Sequence, residues 1–395
     1  MIATLLEWKD HWLGRGDAAI TVPVFDGALK SNSLLEEAPV FATLDAPEDL
    51  ATDGQSLFVA DGKTVRRYDL NPRGPLGGDA SGHSTEVRRF ERSITALACL
   101  PGGGLAVALD GRELCLVGGL HDGLRWDAVG GKPLHAVNSI SAGADGRLLV
   151  TDGSREHPAA YWKHDLMGLG RSGRLLEFNP LDASARELAS GLAHAFGACA
   201  AGDGTVWASA SWRHRVMAFE AFDTDKGSRK GKASGQATSP LGRAVTDALP
   251  GYPSRITAAP DGGFWLTCFA LRTQLVEFVL REPAYRKRML EEIDPAYWIA
   301  PALNSGNTFL EPMQGAQLKT MGVVKPWAPP RSYGLVIRLS AEGQVRYSLH
   351  SRFDGKHHGV VAAVECQGDL FVLAKGCGRI LRLSVAGAQR SLQAC

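Results

Sequence analysis

The chain has 395 residues, of which 43 are Lys or Arg and 42 are Asp or Glu, so its formal net charge is +1. This balance argues against a protein that binds nucleic acid or a membrane surface through a broad basic field. Apolar residues make up 45% of the chain, as in soluble globular proteins, and the 46 glycines favour many short strands joined by tight turns.

The sequence also carries no mark of a membrane or secreted protein. It lacks an apolar run of 18 residues, and its first ten residues contain acids and bases instead of a long apolar stretch. The seven cysteines are scattered without a Cys-x-x-Cys pair, which predicts neither a zinc site nor a disulfide framework. We therefore expect a cytoplasmic protein with no membrane and no nucleic-acid partner.

A short unit repeats along the chain: an apolar strand, a turn such as Asp-Gly, a second apolar or aromatic strand, and a third strand. The six copies occupy residues 47–70, 94–118, 137–153, 195–220, 253–279 and 359–385. Asp-Gly, Gly-Gly and Gln-Gly between apolar runs predict hairpins, because these residues reach positive φ at low cost. Six meanders, each too small to bury its own sheet, predict an all-β fold, a six-bladed β-propeller.

Two segments interrupt this repeat. Residues 222–251 are rich in Gly, Ser and Lys and predict a mobile loop. Residues 281–330 begin with the helix-forming run REPAYRKRMLEEIDPAYW and become Pro-rich near 323–330. They predict a helix and loop inserted into blade five, whose outer strands follow at 333–349. We expect a single propeller domain over residues 1–395, with its blades at about 44–385.

The propeller fold itself predicts where a site would lie. The innermost strand of each blade lines the central channel, and the loops entering these strands meet at one mouth. Residues at or just before the starts of these strands are Glu48, Asn138, Phe196, Ser254, Arg255 and the segment 359–361.

Several segments resemble strictosidine-synthase-like proteins. They are residues 173–207, LPGYPSRITAAPDGGFWLT (249–267), the REPAYRKRML run, and SYGLVIRLSAEGQVRYSLH. Their order and spacing agree with that family from about residue 44 to 385. The wider superfamily includes gluconolactonase-like hydrolases and calcium-dependent, paraoxonase-type lactonases. The resemblance implies a six-bladed propeller with a pocket at the channel mouth that takes a small organic molecule.

The resemblance also shows a departure at the calcium site of the hydrolytic branch. It places the family's calcium-binding Glu at Glu48 and one Asn at Asn138, but Phe196 replaces another Asn, and Ser254-Arg255 replaces Asp-Asn. Calcium takes six to eight oxygens, and too few remain. We expect no cofactor, with Arg255 in the place of the metal and paired with Glu48 and Asn138. An altered calcium site on Glu48 and Asn138, completed by water and backbone carbonyls, is the alternative.

Strictosidine synthase chemistry is not expected, because residues 360–363 read Val-Val-Ala-Ala where that branch has a glutamate. The loop 154–173 matches the family segment that covers the pocket. Its aromatic residues and its His and Asp offer walls and an acid–base pair, or else a packed rim. His194 is a candidate general base or a structural residue, and the run 212–215 is interpreted as outer-strand packing.

Three functions remain open at this stage. The first is an enzyme that acts on a small carbonyl-containing or anionic molecule, by metal-independent lactone or ester hydrolysis or by a non-hydrolytic reaction. The second is a non-catalytic small-molecule binder, and the third is a protein-interaction propeller that uses the two insertions. For the enzyme, the predicted catalytic residues are Glu48, Arg255, His164 and Asp165, and the predicted substrate-binding residues are Asn138, Tyr161, Trp162, His194, Phe196 and Ser254.

Overall fold

The computed structural model describes residues 22–70, 84–220, 242–305, 332–353 and 355–393, together with residue 9 and the short stretches 319–320 and 323–324. It contains six four-stranded antiparallel sheets, and in five of them the four strands follow one another from the channel outwards. The first strands of neighbouring sheets contact each other around a ring. The predicted six-bladed propeller is thereby confirmed.

Strand β1 spans Val40–Thr43. Blades one and two contain β2 Pro47–Thr52, β3 Ser56–Asp61, β4 Thr64–Asp69, β5 Ser84–Arg89, β6 Ile94–Cys99, β7 Leu105–Leu109, β8 Glu113–Val117 and β9 Arg125–Trp126. A hairpin of β10 Ala128–Val129 and β11 Lys132–Pro133 precedes blade three, which contains β12 Val137–Ala142, β13 Leu148–Asp152, β14 Gly173–Phe178 and β15 Ala185–Leu192.

Blade four contains β16 Ala195–Ala200, β17 Thr205–Ala210, β18 Arg215–Glu220 and β19 Arg243–Thr246. Blade five begins with β20 Gly251–Ala258 and β21 Phe264–Leu271; a separate pair, β22 Lys319–Thr320 and β23 Val323–Val324, precedes its outer strands β24 Leu335–Leu339 and β25 Val345–His350. Blade six contains β26 Val360–Cys366, β27 Asp369–Ala374 and β28 Arg379–Ser384.

The helices are α1 Trp162–Met167, α2 Gln274–Arg281, α3 Pro283–Glu292 and α4 Val385–Gln393. Short 3-10 turns occur at Gly27–Leu29, Gly119–His121, Ala159–Tyr161, Ser211–Arg213, Pro295–Tyr297 and Lys375–Cys377. Within the described ranges, no helix is both long and apolar enough to cross a membrane.

The predicted helical insertion in blade five is confirmed, and it begins earlier than expected. Helix α2 starts at Gln274 because the Thr273 hydroxyl caps it, accepting a hydrogen bond from the Val276 amide at 3.3 Å. Pro283 opens α3, where its missing amide hydrogen costs nothing. Buried Glu277 of α2 lies 3.1 Å from Arg272 and thereby ties the insertion to the end of β21.

The predicted loop over 222–251 is wrong at its C-terminal end. Residues 221–241 lie outside the described residues, but Arg243–Thr246 forms β19, the outermost strand of blade four, and pairs with β18. Strand β20 already begins at Gly251. The polar composition of this stretch concealed β19, because an outermost strand needs little apolar surface.

The ring is closed by the two ends of the described chain. Strand β1 is antiparallel to β28 and completes blade six as its fourth strand, with Val40 opposite Leu381 and Thr43 opposite Arg379. Phe41 of β1 packs edge-on against Phe371 at 5.1 Å between ring centroids. Blade six therefore combines strands that lie more than three hundred residues apart in sequence.

Two buried tryptophans lie between blades. Trp207 of blade four lies 4.2 Å from Phe264 of blade five, and Trp265 of blade five donates to Glu365 of blade six at 2.8 Å.

Candidate functional site

All six inner strands carry a register shift at the same place, near the start of the strand. In each, the pairing with the second strand skips one or two residues, as in a β-bulge. The skipped residues are Glu48, Thr95, Asn138, Phe196–Gly197, Ser254–Arg255 and Val361. A bulge frees backbone carbonyls from the ladder, so the channel mouth is ringed by carbonyl oxygens that need donors.

The Arg255 guanidinium supplies donors to three of these bulges. Its Nη1 donates to the Glu48 carbonyl at 3.1 Å, and its Nη2 donates to the carbonyls of Thr95 at 3.0 Å and Asn138 at 2.7 Å. Its Nε lies 2.9 Å from Asp49 Oδ1, as an ion pair whose angle is not that of an aligned hydrogen bond. We call Arg255, Asp49 and these three carbonyls the guanidinium site.

The guanidinium site is closed to solvent. The side chains of Arg255 and Asp49 are 4% and 2% exposed, and the guanidinium carbon lies 5.3 Å from the centre of the Phe196 ring. Burial raises the pKa of Asp49 to about 6, although Arg255 and the amides of Leu97 and Leu50 act in the opposite direction.

The expected pairing of Arg255 with the side chains of Glu48 and Asn138 was therefore wrong. Arg255 bonds their backbone carbonyls, and its carboxylate partner is Asp49. The Glu48 carboxylate instead accepts from Lys375 Nζ at 2.5 Å. Because the bulge turns the Glu48 carbonyl and the Glu48 side chain to different sides, Glu48 contacts both Arg255 and Lys375.

A small cavity of about 50 Å³ lies at the channel mouth, and we call it the mouth cavity. Its walls are largely aromatic, and its polar groups come from the bulges and from the turns between second and third strands. The lining residues are Glu48, Thr95, Asn138, Ala159, Trp162, His194, Phe196, Trp212, Phe269, Leu303, Val361 and Lys375. A larger groove of about 1170 Å³ lies beside blade five between residues 27–37 and 389–393, away from the bulges.

Asp165 and His194 form a buried pair at this cavity. Asp165 Oδ2 lies 3.4 Å from His194 Nδ1 and accepts from Trp212 Nε1 at 2.6 Å; the side chains of the Asp and the His are 1% and 3% exposed. Burial raises the pKa of Asp165, but the contacts with His194, Ser154 and Trp212 outweigh it, so the pKa lies below its usual value. Asp165 therefore stays ionised beside the imidazole.

His194 is held on every side. Its ring stacks on Trp212 with 4.3 Å between centroids, and its Nε2 lies 3.4 Å from the Asn138 amide nitrogen. Its backbone has φ +58°, a left-handed conformation that side chains rarely adopt. Such strain is concentrated at functional positions in proteins.

The predicted pairing of His164 with Asp165 was wrong. The two residues are neighbours on α1 and point in different directions, Asp165 towards His194 and His164 towards the rim. The His164 ring lies 4.7 Å from Trp298 and 5.0 Å from Tyr161. Tyr161 is 53% exposed and does not line the cavity, whereas Trp162 does.

Ser254 was predicted to bind substrate, but it lies in the core. It is 0% exposed, and its hydroxyl lies 2.7 Å from that of Thr267. Arg255 is likewise absent from the cavity wall. The predicted residues that line the cavity are Glu48, Asn138, Trp162, His194 and Phe196.

Sequence reasoning missed Lys375, and it assigned Trp212 to outer-strand packing. Both lie in 3-10 turns that join the second and third strands of their blades. In an antiparallel meander this turn is at the same edge as the start of the first strand, so these residues reach the channel mouth. The sequence signal was a Lys or Trp directly after the second strand of a repeat.

The residues at this mouth do not fit calcium. A fixed cation, Arg255, already takes the oxygens of three bulges and the Asp49 carboxylate, and Lys375 binds Glu48. In the described part of the chain, no three His, Cys, Asp or Glu side chains converge in a way that could hold a metal ion.

Comparison with known proteins finds a relative that spans most of the chain. The adipocyte plasma membrane-associated protein of Salmo salar, a strictosidine-synthase-like protein, is 26% identical over 360 residues, or 86% of this chain and 75% of that protein. The chain is thus similar to a strictosidine-synthase-like protein over most of its length. No family model matches the sequence.

A solved gluconolactonase has a similar fold. A gluconolactonase from Xanthomonas campestris superposes with a TM-score of 0.53 at 14% identity, covering 92% of this chain and 95% of that one. At this identity the likeness concerns the fold alone.

Proposed function

We propose that this strictosidine-synthase-like propeller is a metal-independent enzyme that hydrolyses a small lactone or ester in the mouth cavity. The observation that carries the proposal is the Asp165–His194 pair, a buried carboxylate that holds an imidazole at the cavity wall. A non-hydrolytic reaction that begins with proton removal by the same base is the variant of this proposal.

His194 is the proposed general base. The Asp165 carboxylate lies 3.4 Å from His194 Nδ1, which favours the tautomer with its hydrogen on Nδ1 and its lone pair on Nε2. When the imidazole takes that proton, the buried Asp165 carboxylate stabilises the positive charge. The Asn138 amide nitrogen lies 3.4 Å from Nε2, so the attacking water must replace it as the donor to this lone pair.

Arg255 has a structural role in this proposal, in the place where the family's hydrolytic branch holds calcium. Its guanidinium serves the carbonyls that the bulges expose, so the channel mouth keeps its shape without a metal. Elemental mass spectrometry of purified, dialysed protein tests this directly. We expect far less than one calcium per chain, and about one tightly held calcium per chain would overturn the metal-independent proposal.

The activity test is a panel of lactones and aryl esters assayed with and without EDTA. We expect hydrolysis that resists EDTA and that falls by about 10²- to 10⁴-fold in kcat in His194→Asn, a residue that tolerates the left-handed backbone. Asp165→Asn should also lower kcat. The control is His121→Gln, a histidine exposed on blade two. Hydrolysis that is equal in wild type and His194→Asn would contradict the role of the pair.

A non-catalytic binder is the second candidate, favoured by the small size and aromatic walls of the mouth cavity. Saturable binding of panel compounds without turnover by wild-type protein would support this function over hydrolysis.

We further propose that the partner is a small carbonyl-containing or anionic molecule and that the protein is cytoplasmic. Six cysteines in the described residues are free thiols, and thiols persist in a reducing compartment. Cell fractionation tests the location: recovery with membranes after a salt wash would contradict it.

A further inference from the structure

Lys375 is held at the cavity by a rigid turn. The turn Lys375–Cys377 ends at Gly378, whose φ is +67°. The Gly376 amide donates to the His358 carbonyl at 3.1 Å, and the Gly376 carbonyl accepts from Asn304 at 2.7 Å. A Cβ on Gly376 would collide with the Leu303 carbonyl, so only glycine fits there. The lysine stem therefore leaves from a fixed backbone.

The Lys375 ammonium also has donors to spare. Within the described residues its partner is the Glu48 carboxylate, and one of its three N–H bonds makes this contact. The side chains of Lys375 and Glu48 are 30% and 26% exposed and both line the mouth cavity. Arg255, by contrast, serves three carbonyls and is 4% exposed. Among the described residues at this mouth, Lys375 is thus the cation that a ligand can reach.

Aromatic rings face the space beside Lys375. Trp162 and Phe269 lie edge to face at 5.3 Å, and Phe196 stacks with Phe269 at 6.0 Å. Trp212 completes the wall at 6.3 Å from both Trp162 and Phe269. Rings in such arrangements suit a flat apolar group, which gains offset-stacked and edge contacts.

We propose that the mouth cavity, together with the open space in front of it, takes a small compound with a planar ring and a carbonyl or carboxylate oxygen, and that Lys375 binds this oxygen. This inference rests on the proposed function for its catalytic part. The substrate class is then an aromatic lactone. An ammonium ligand is excluded, because it would meet the charge of Lys375.

The hydrolytic step balances with the residues present. Water adds to the lactone carbonyl carbon while His194 Nε2 takes its proton, and the former carbonyl oxygen becomes an oxyanion that Lys375 stabilises. The ring C–O bond then breaks, and His194 returns the proton to the leaving oxygen. The product is a hydroxy acid whose carboxylate stays near Lys375. Glu48 is a positioning residue, which orients the ammonium.

The test separates binding from turnover by using benzoate as a probe, with quenching of Trp162 and Trp212 fluorescence as the readout. Lys375→Met should weaken benzoate binding by about 10- to 100-fold, as expected when a hydrogen bond to a charged group is lost. Lys375→Arg should retain binding, and Lys132→Met, which removes an exposed Lys–Glu pair at 2.8 Å, should leave it unchanged. Acetate and phenethylamine should not compete with benzoate.

Glu48→Gln should change benzoate affinity and kcat in opposite directions. It should strengthen benzoate binding, since a competing carboxylate leaves Lys375, and it should lower kcat for dihydrocoumarin, since Lys375 loses its orientation. Equal or weaker benzoate binding in Glu48→Gln would overturn the pairing as the determinant of affinity.

The outcomes distinguish the two proposals. Equal benzoate affinity in wild type and Lys375→Met, or competition by phenethylamine, overturns this inference even if lactones are hydrolysed. Lys375-dependent benzoate binding without hydrolysis of dihydrocoumarin supports the ligand class and overturns the proposed hydrolase. Hydrolysis of dihydrocoumarin that exceeds that of δ-valerolactone, and that falls in Lys375→Met, supports both. Thermal melting of each variant verifies that it is folded.

Discussion

Two cations lie at the channel mouth, and their surroundings differ. Arg255 is 4% exposed and serves three backbone carbonyls and a carboxylate, whereas Lys375 is 30% exposed and serves one carboxylate. A cation that is buried beneath its protein partners stabilises the fold and cannot serve a ligand. A partly exposed cation with unused donors adds little stability and can bind a ligand. Substitution of Arg255 should therefore lower stability, whereas substitution of Lys375 should weaken ligand binding and leave stability almost unchanged.

The largest effect is expected at Arg255. Arg255→Met leaves the Asp49 carboxylate buried without its partner and removes the donors to three carbonyls. We expect the free energy of unfolding to fall by about 3–5 kcal/mol, measured by urea denaturation at pH 7. Arg147→Met, which breaks an exposed pair with Asp145, is the control and should change it by less than about 1 kcal/mol. If Arg255→Met also lowered the free energy of unfolding by less than about 1 kcal/mol, the proposed difference between Arg255 and Lys375 would be wrong.

The pH dependence of stability should report Asp49. Its pKa is about 6 in the folded protein and 3.8 without the protein environment, so between these values the folded state binds more protons than the unfolded chain. The unfolding free energy therefore falls as pH rises from about 4 to about 6, by up to about 3 kcal/mol from this group.

Asp49→Asn should remove this component. Urea denaturation at pH 4, 5, 6 and 7 measures the difference between variant and wild type, and Asp45→Asn, at an exposed carboxylate, is the control. A difference that stays constant across this range would show that Asp49 does not change its ionisation there.

Trp212 lies between the buried and the accessible region, and its effect should be intermediate. Trp212→Phe removes the indole N–H that donates to the ionised Asp165 at 2.6 Å. We expect a loss of about 1.5–3 kcal/mol in unfolding free energy. Trp126→Phe, at a partly exposed tryptophan of blade two, is the control. Equal losses in both variants would mean that ring volume, and not the hydrogen bond, determines the cost.

The smallest stability effect is expected at Lys375. Because the Lys375–Glu48 pair is partly exposed, Lys375→Met and Glu48→Gln should each change the unfolding free energy by no more than about 1 kcal/mol. Equilibrium urea denaturation measures this. A loss as large as that of Arg255→Met would assign Lys375 to the structural framework and remove the basis for a ligand there.

The fold could be predicted because its signals are local. A turn such as Asp53-Gly54 between two apolar strands can be read within a few residues, and six such units imply a ring. The positions of Glu48, Asn138 and Phe196 at the mouth follow from the same repeat. Strand β1 could not be found in this way, because its partner β28 lies at the other end of the chain.

Side-chain partners could be predicted less well, because they depend on the bulges. Glu48 was paired with Arg255 because the family resemblance places both at the calcium site, but the bulge presents its carbonyl to Arg255 and its carboxylate to Lys375. Asp165 was assigned to its sequence neighbour His164, whereas the direction of α1 brings it to His194. A pattern of residue types fixes neither of these directions.

Because β1 closes the ring, the Glu48–Lys375 contact also joins the first blade to the last. Glu48 belongs to the first blade and Lys375 to the last, so the contact crosses the seam where the two ends of the propeller meet. A ligand that binds there only when the ring is closed lowers the population of the open seam by the factor 1 + L/Kd, where L is the free ligand concentration. Amide hydrogens of β1 and β28 would then exchange more slowly when the cavity is filled.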